Sequence, residues 1–191
     1  LLIACVKTGK KYGSDYVLKL RNGVERHMPV KHQFVCFTEN NVDGVECRPL
    51  AVPLPTWWSK LTLFSLGKPL IYLDLDVVIT GDLSPLLDWD GFGILKDHNG
   101  KTYNSSVMKL TGKEGHVWER FTPNVMSHMH GVQDWITECM PGAKTFPPEW
   151  FPSFKLDDCV GGVSAKAMGC NFHGLPKPHQ ITSGWVPEAW I

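Results

Sequence analysis

Apolar residues recur along the chain in short blocks whose spacing alternates between strand and helix character. Leu1–Val6 is an apolar run closed by Thr8–Gly9, and it reads as a first buried strand, not as a leader peptide. Ser14 is placed to cap a helix over Tyr16–Met28, weakened by Asn22–Gly23 and ended by Pro29. Gln33–Thr38 and Val45–Leu50 predict two further strands. Pro53, Pro55 and Thr56 form a loop. Trp57–Leu66 has helical spacing, with Trp57, Leu61 and Phe64 on one face joined by Trp58, and Gly67–Lys68–Pro69 stops it. The most apolar stretch, Leu70–Ile79, has no polar alternate face and predicts one central strand.

Beyond it, Asp82–Leu87 predicts a single helical turn. Phe92–Leu95 and Ser106–Leu110 predict strands, and Glu114–His128 and Gln133–Met140 predict helices about a turn at His130–Gly131. From Gly142 the chain is rich in Pro, Gly and Trp, so short strands, loops and a partly ordered tail are expected. Alternating strands and helices in the first half imply an α/β layered fold with a mostly parallel central sheet. No repeat and no low-complexity tract interrupts it.

Composition narrows the function classes. The 191 residues suit one domain, and 43% hydrophobic with 20% charged residues is ordinary for a globular protein. Nineteen Lys+Arg balance nineteen Asp+Glu, which disfavours a strongly basic nucleic-acid binder. No apolar run reaches about 18 residues, so no membrane span is expected. The six cysteines are scattered without a C-x-x-C pair, which points to reduced, mostly buried thiols in a cytoplasmic setting. The expected state is a monomer or a weak dimer. Eight Trp are many for this length; Trp57, Trp58, Trp150 and Trp185 are candidates for a recognition surface, with core packing as the alternative.

The sharpest chemical feature is Asp74–Leu75–Asp76 inside the apolar run. Carboxylates in a buried strand are costly without a cation or a hydrogen-bond network. Residues i and i+2 of a strand face the same side, so both carboxylates could converge on one divalent ion, Mg²⁺ or Mn²⁺. A solvated strand end is the alternative. A second cluster, Asn171–His179, offers His173 as an imidazole ligand, Lys177 as a point charge for phosphate and Gly174 for close backbone approach.

The segments YLDLDVVITGDL, YNSSVMKL, GVQDW and FHGLPKP occur in the order seen in GT-A fold glycosyltransferases. The chain resembles family eight of those enzymes, the glycogenin and galactosyltransferase-like group that uses nucleotide-diphosphate sugars. The resemblance runs from the first strand to His179. It implies a single minimal GT-A domain, with the nucleotide sugar bound by residues 1–110 and the acceptor side and C-terminal metal and diphosphate segment in 111–191. It implies that Asp74, Asp76 and His173 bind Mn²⁺ or Mg²⁺ and that Lys177 contacts the diphosphate. By the same resemblance Val6, Lys7, Thr8 and Tyr12 hold the nucleobase, Lys60 reaches the donor, and Leu75, Asn104 and Gly174 complete the donor site. The implied partners are a UDP-sugar, glucose or galactose, and a saccharide or other hydroxyl acceptor.

Two departures stand out. The acid expected before Gln133 is replaced by Val132, and Lys177 follows His173 sooner than in the family. Gln133 would lie near the reacting carbon in a retaining reaction, and Asp134 could act as base in an inverting one; retention is the reading the resemblance favours. Capping of a helix N-terminus is the alternative role for both residues. Asp76→Ala is expected to abolish metal-dependent donor binding and leave the fold intact. Two other readings stay open. One is a haloacid-dehalogenase-like phosphatase with Asp74 as nucleophile and Asp157–Asp158 as the later acids. The other is a non-catalytic sugar-binding module. His128 and His130 have zinc-like spacing but lack a third nearby ligand.

Overall fold

Side-chain alternation along the strands decides the architecture. In the computed structural model, which describes residues 1–191, the strands β1 (Leu2–Lys7), β2 (Gln33–Thr38) and β4 (Leu70–Leu73) are apolar on both faces. Ile3, Cys5, Phe34, Cys36, Ile71 and Leu73 enter one core cluster. Ala4, Val35, Phe37, Leu70 and Tyr72 enter a second. A strand apolar on both sides must be covered on both sides, so the sheet is a central layer with packing above and below.

The six-stranded sheet has the order β3-β2-β1-β4-β7-β6, with β3 at Glu46–Arg48, β6 at Gly93–Lys96 and β7 at Tyr103–Leu110. The pairs β3·β2, β2·β1 and β1·β4 are parallel; β4·β7 and β7·β6 are antiparallel. This matches the expected mostly parallel sheet. Helix α1 (Ser14–His27) covers one face, together with a small antiparallel sheet of β5 (Val77–Ile79) and β8 (Gly169–Asn171). Gly23 does not break α1. It lets the helix approach the sheet, since a Cβ there would meet Ile79 Cβ at 3.1 Å. After the short helix α2 (Ser84–Asp88), the helices α3 (His116–Glu119), α4 (Pro123–His128) and α5 (Val132–Cys139) follow on the chain, and α3 and α5 pack on the other face with the segment Thr56–Leu66. No helix is long and apolar enough to cross a membrane.

Four expectations are corrected. The run Leu70–Ile79 is not one strand: β4 ends at Leu73, β5 begins at Val77, and the two belong to different sheets. The apolar residues on either side of the two acids hid the break, because both strands are fully buried. Thr56–Leu66 is 3-10 helical, with Trp57 52% exposed and Trp58 buried, so the two indoles do not share a face. The helix expected over Glu114–His128 is two short helices broken at Thr122–Pro123, where proline disfavours a helical predecessor.

The C-terminal tail is not loosely ordered. Helix α6 (Trp185–Ala189) leads to Trp190, which packs edge-on against Tyr16 at 4.7 Å between ring centroids. Lys19 Nζ lies 4.2 Å from a Trp190 ring centroid and donates to its carbonyl at 3.0 Å, and Asn22 and Arg26 donate to the carbonyls of Ile191 and Ala189. Truncating Trp190 to Ala is therefore expected to cost about 3 kcal/mol in denaturant unfolding, a value typical of a buried aromatic. A loosely held tail would show no loss.

Candidate functional site

Strands β1 and β4 run parallel with Ile3 opposite Ile71, so their C-terminal ends emerge at one edge of the sheet. In open α/β sheets that edge is where ligand crevices form. Here β4 gives way to a turn, closed by Val77 N donating to the Asp74 carbonyl at 3.1 Å, while Asp74 N donates to the Ser106 carbonyl of β7 at 2.8 Å. The turn carries Asp74 and Asp76 with Leu75 buried between them.

The turn separates the partners of the two carboxylates. Asp74 continues the face of Tyr72, whose hydroxyl donates to Asp74 Oδ1. Lys60, from the 3-10 segment on that face, donates to the same oxygen at 2.7 Å and to Ser105 O and Oγ at 3.3 Å. Asp76 meets the opposite layer: Tyr12 OH donates to its Oδ2 at 2.7 Å, and Lys177 Nζ donates to Oδ2 and, at 2.7 Å, to the Phe172 carbonyl. The two acids therefore lie in a turn and not in a strand, and each pairs with its own lysine. Burial, followed by the charge of Asp76, pushes the Tyr12 hydroxyl well up, and Tyr16 is pushed up to about 12 by burial and Asp76; both phenols remain neutral. Burial and the neighbouring Asp74 raise Tyr72 in the same way.

The other predicted residues divide into those at this edge and those beside it. Lys7 ends β1, is buried, and forms no ion pair. Val6 precedes it, and Thr8 Oγ1 reaches the Thr56 carbonyl at 3.4 Å. Asn104 is buried on β7 and accepts from Ser106 N at 2.9 Å. Gln133 Oε1 accepts from Ser105 N at 3.4 Å, which joins it to the Lys60–Asp74 network. Asp134 accepts from His130 N at 3.2 Å at the start of α5, the helix-terminal role weighed for it. Val132 is 2% exposed and faces the core, so the position of the missing acid serves packing. Gly174 is exposed with φ 67°, a conformation glycine adopts freely.

His173 lies on the C-terminal segment two residues after β8. Its Nε2 hydrogen bonds with Ser153 Oγ at 2.7 Å, its ring lies 6.0 Å from that of His98, and no three His, Cys, Asp or Glu side chains stand together as a metal cluster. Burial, with Lys155 and His98 adding, lowers its proton affinity, so it stays neutral, the form that ligates metal. The donor chemistry of the turn suits a hard divalent ion. Asp74 Oδ2 and Asp76 Oδ1 carry no protein hydrogen bond, and no such bond engages His173 Nδ1. Tyr72, Ser105 and Ser153 are site residues absent from the expectations. Tyr72 carried a signal, lying two strand residues before Asp74; the two serines carried none.

The pair Lys177–Asp76 is about 10% exposed at each side chain, so removing one partner strands a buried charge. This revises the expectation that Asp76→Ala spares the fold: it should lower unfolding stability by about 3 kcal/mol, while Asp76→Ala combined with Lys177→Met recovers most of the loss. Additive losses in the double variant would contradict the pairing.

No protein-family model matches the sequence, and no curated protein matches it. Solved structures do. A galactosyltransferase, LgtC, in complex with donor and acceptor sugar analogues, aligns with TM-score 0.67 at 16% identity over 93% of this chain and 89% of that one. The glycosyltransferase GlyE of Streptococcus pneumoniae TIGR4 aligns with TM-score 0.75 at 11% identity over 99% of this chain but 59% of its own length. Mouse xyloside xylosyltransferase 1 aligns with TM-score 0.56 at 12% identity, over 91% and 99%. The fold leaves the dehalogenase-like phosphatase alternative without its scaffold. The chain has the GT-A fold of these glycosyltransferases.

Proposed function

We propose that this protein transfers a sugar, glucose or galactose, from a UDP-sugar to an acceptor hydroxyl, with a divalent metal ion and with retention of configuration. The observation that carries the reading is the placement of charge. The buried cations of the chain are Lys7, Lys60 and Lys177, and each sits at or beside the edge where β1 and β4 end, around the Asp74–Asp76 turn. Buried ammonium groups are costly, and gathering them at a ligand edge suits a polyanion such as a diphosphate.

Asp74 and Asp76 would hold Mn²⁺ or Mg²⁺, with His173 as the imidazole ligand. The ion would supply charge neutralisation at the diphosphate. As the bond from the anomeric carbon to the diphosphate breaks, negative charge grows on the leaving group. Lys177 and Lys7 would stabilise it there, where binding energy lowers the barrier. Lys60 fixes Asp74 and, through Ser105, the Gln133 carboxamide, whose amide would face the reacting carbon. Tyr12 orients Asp76 and offers an aromatic face beside the end of β1 for the base.

Calorimetric titration of UDP into the full chain tests this. Tight binding is expected with Mn²⁺ and at least tenfold weaker binding without it. Asp76→Asn, which keeps the side-chain shape, should remove the metal dependence. UDP binding that ignores the metal would overturn the metal assignment. Binding without any turnover of UDP-glucose or UDP-galactose would favour the non-catalytic module, the reading that Val132 in place of an acid supports.

A further inference from the structure

The strand register brings three of the six cysteines into one row. Cys5 of β1 lies opposite Cys36 of β2, and Cys36 lies opposite Cys47 of β3. The three strands are parallel neighbours, so residues paired across them share a face, the one that α1 covers. Neighbouring strands stand roughly 4.7–4.9 Å apart. A disulfide spans about 4.4–6.8 Å between Cα atoms, so neighbours in the row can be joined without moving a strand.

The row runs from the interior to the rim of the sheet. Cys5 and Cys36 are fully buried, while Cys47 is half-buried on β3, the outermost strand. A reagent in solvent therefore meets Cys47 first. Val42 N donates to the Cys47 sulfur at 3.3 Å, which holds the side chain in place.

Charge prepares the middle thiol. Lys7 lies on the same face, two residues along β1 from Cys5, and is buried without an ion pair. The Cys5 thiol, donating to Cys36, draws the Cys36 thiol below its usual value against the effect of burial, and the Lys7 ammonium adds to this. Burial pushes the thiols of Cys5, Cys139, Cys159 and Cys170 up. The thiolate is the nucleophile of disulfide exchange, so Cys36 is equipped to attack a sulfur presented by its neighbour.

We propose that Cys36 and Cys47 form a reversible thiol–disulfide site, with Cys47 as the entry thiol, Cys36 as the resolving thiol and a low-molecular-weight disulfide as the oxidant. The Cys47 thiolate attacks the reagent R–S–S–R, forms Cys47–S–S–R and releases R–S⁻, which takes up a proton. The Cys36 thiolate then attacks the Cys47 sulfur, the bond to R–S breaks, and a second R–S⁻ leaves and is protonated. Both protein thiols are oxidised, and the reagent is reduced to two R–SH that carry away the two thiol protons. The site stands apart from the sugar-transfer reading and does not depend on it.

The test incubates the full, folded chain with oxidised glutathione, quenches it with N-ethylmaleimide and maps the peptides by mass spectrometry. Loss of two of the six free thiols is expected, with a Cys36–Cys47 crosslink that dithiothreitol reverses. Cys36→Ser should stop at a glutathione mixed disulfide on Cys47, and Cys47→Ser should keep all its remaining thiols. The unmodified chain decides alone if a variant fails to fold. The proposal is overturned if neither Cys36 nor Cys47 is consumed in that chain, if a mixed disulfide on Cys47 persists unresolved, or if the crosslink joins Cys5 to Cys36 or Cys159 to Cys170 instead.

Discussion

Two carboxylates at the end of a buried strand have to be compensated, and the surrounding structure is organised by how that is done. Asp74 and Asp76 leave β4 where the sheet is covered on both faces, so water alone does not solvate them fully. Lys60 comes to Asp74 from one layer and Lys177 to Asp76 from the other. The turn that separates the two acids is what allows each layer to supply its own cation. It also moves the chain out of the main sheet into the small β5·β8 sheet, and so brings the C-terminal segment, with Asn171, Phe172 and His173, to the same edge.

The same arrangement is electrostatically closed but chemically open. Each carboxylate is neutralised through one oxygen and keeps the other outside protein hydrogen bonds. The divalent ion and diphosphate of the proposed reaction would bring opposite charges matching these two half-sites, the acids and the lysines. The tyrosines add rigidity without adding charge, because burial and the nearby acids keep them protonated. The tail that packs on Tyr16 braces α1 from behind, and Tyr12 just before α1 packs at a tilt against Tyr16, 4.6 Å between centroids.

Much of the layered fold was legible because blocks such as Leu2–Lys7 and Gln33–Thr38 are apolar at a density that only a doubly covered sheet explains. The break between β4 and β5 was not, because both strands are fully buried and hydropathy does not register a change of sheet. Pro123 did carry the signal that split the long helix, outweighed by the apolar spacing around it. At the site, Asp74, Asp76, Lys60 and Lys177 were found through ordered motifs, and the geometry places them together as two ion pairs. What sequence left open was the partner of each acid, since Tyr72, Ser105 and Ser153 are ordinary residues made specific only by tertiary placement. The same holds for Cys5, Cys36 and Cys47, whose row is visible only once the strands are paired.

The central claim is that the two free carboxylate oxygens of the turn form one cation site beside the buried lysines. It is tested most directly by a crystal of the full chain grown with UDP and Mn²⁺, read by anomalous scattering from manganese. The account predicts a single manganese peak bound by both Asp74 and Asp76, with the diphosphate between it and Lys177. A manganese peak away from these carboxylates, or UDP bound with both lysine–aspartate pairs undisturbed and no metal between them, would contradict it.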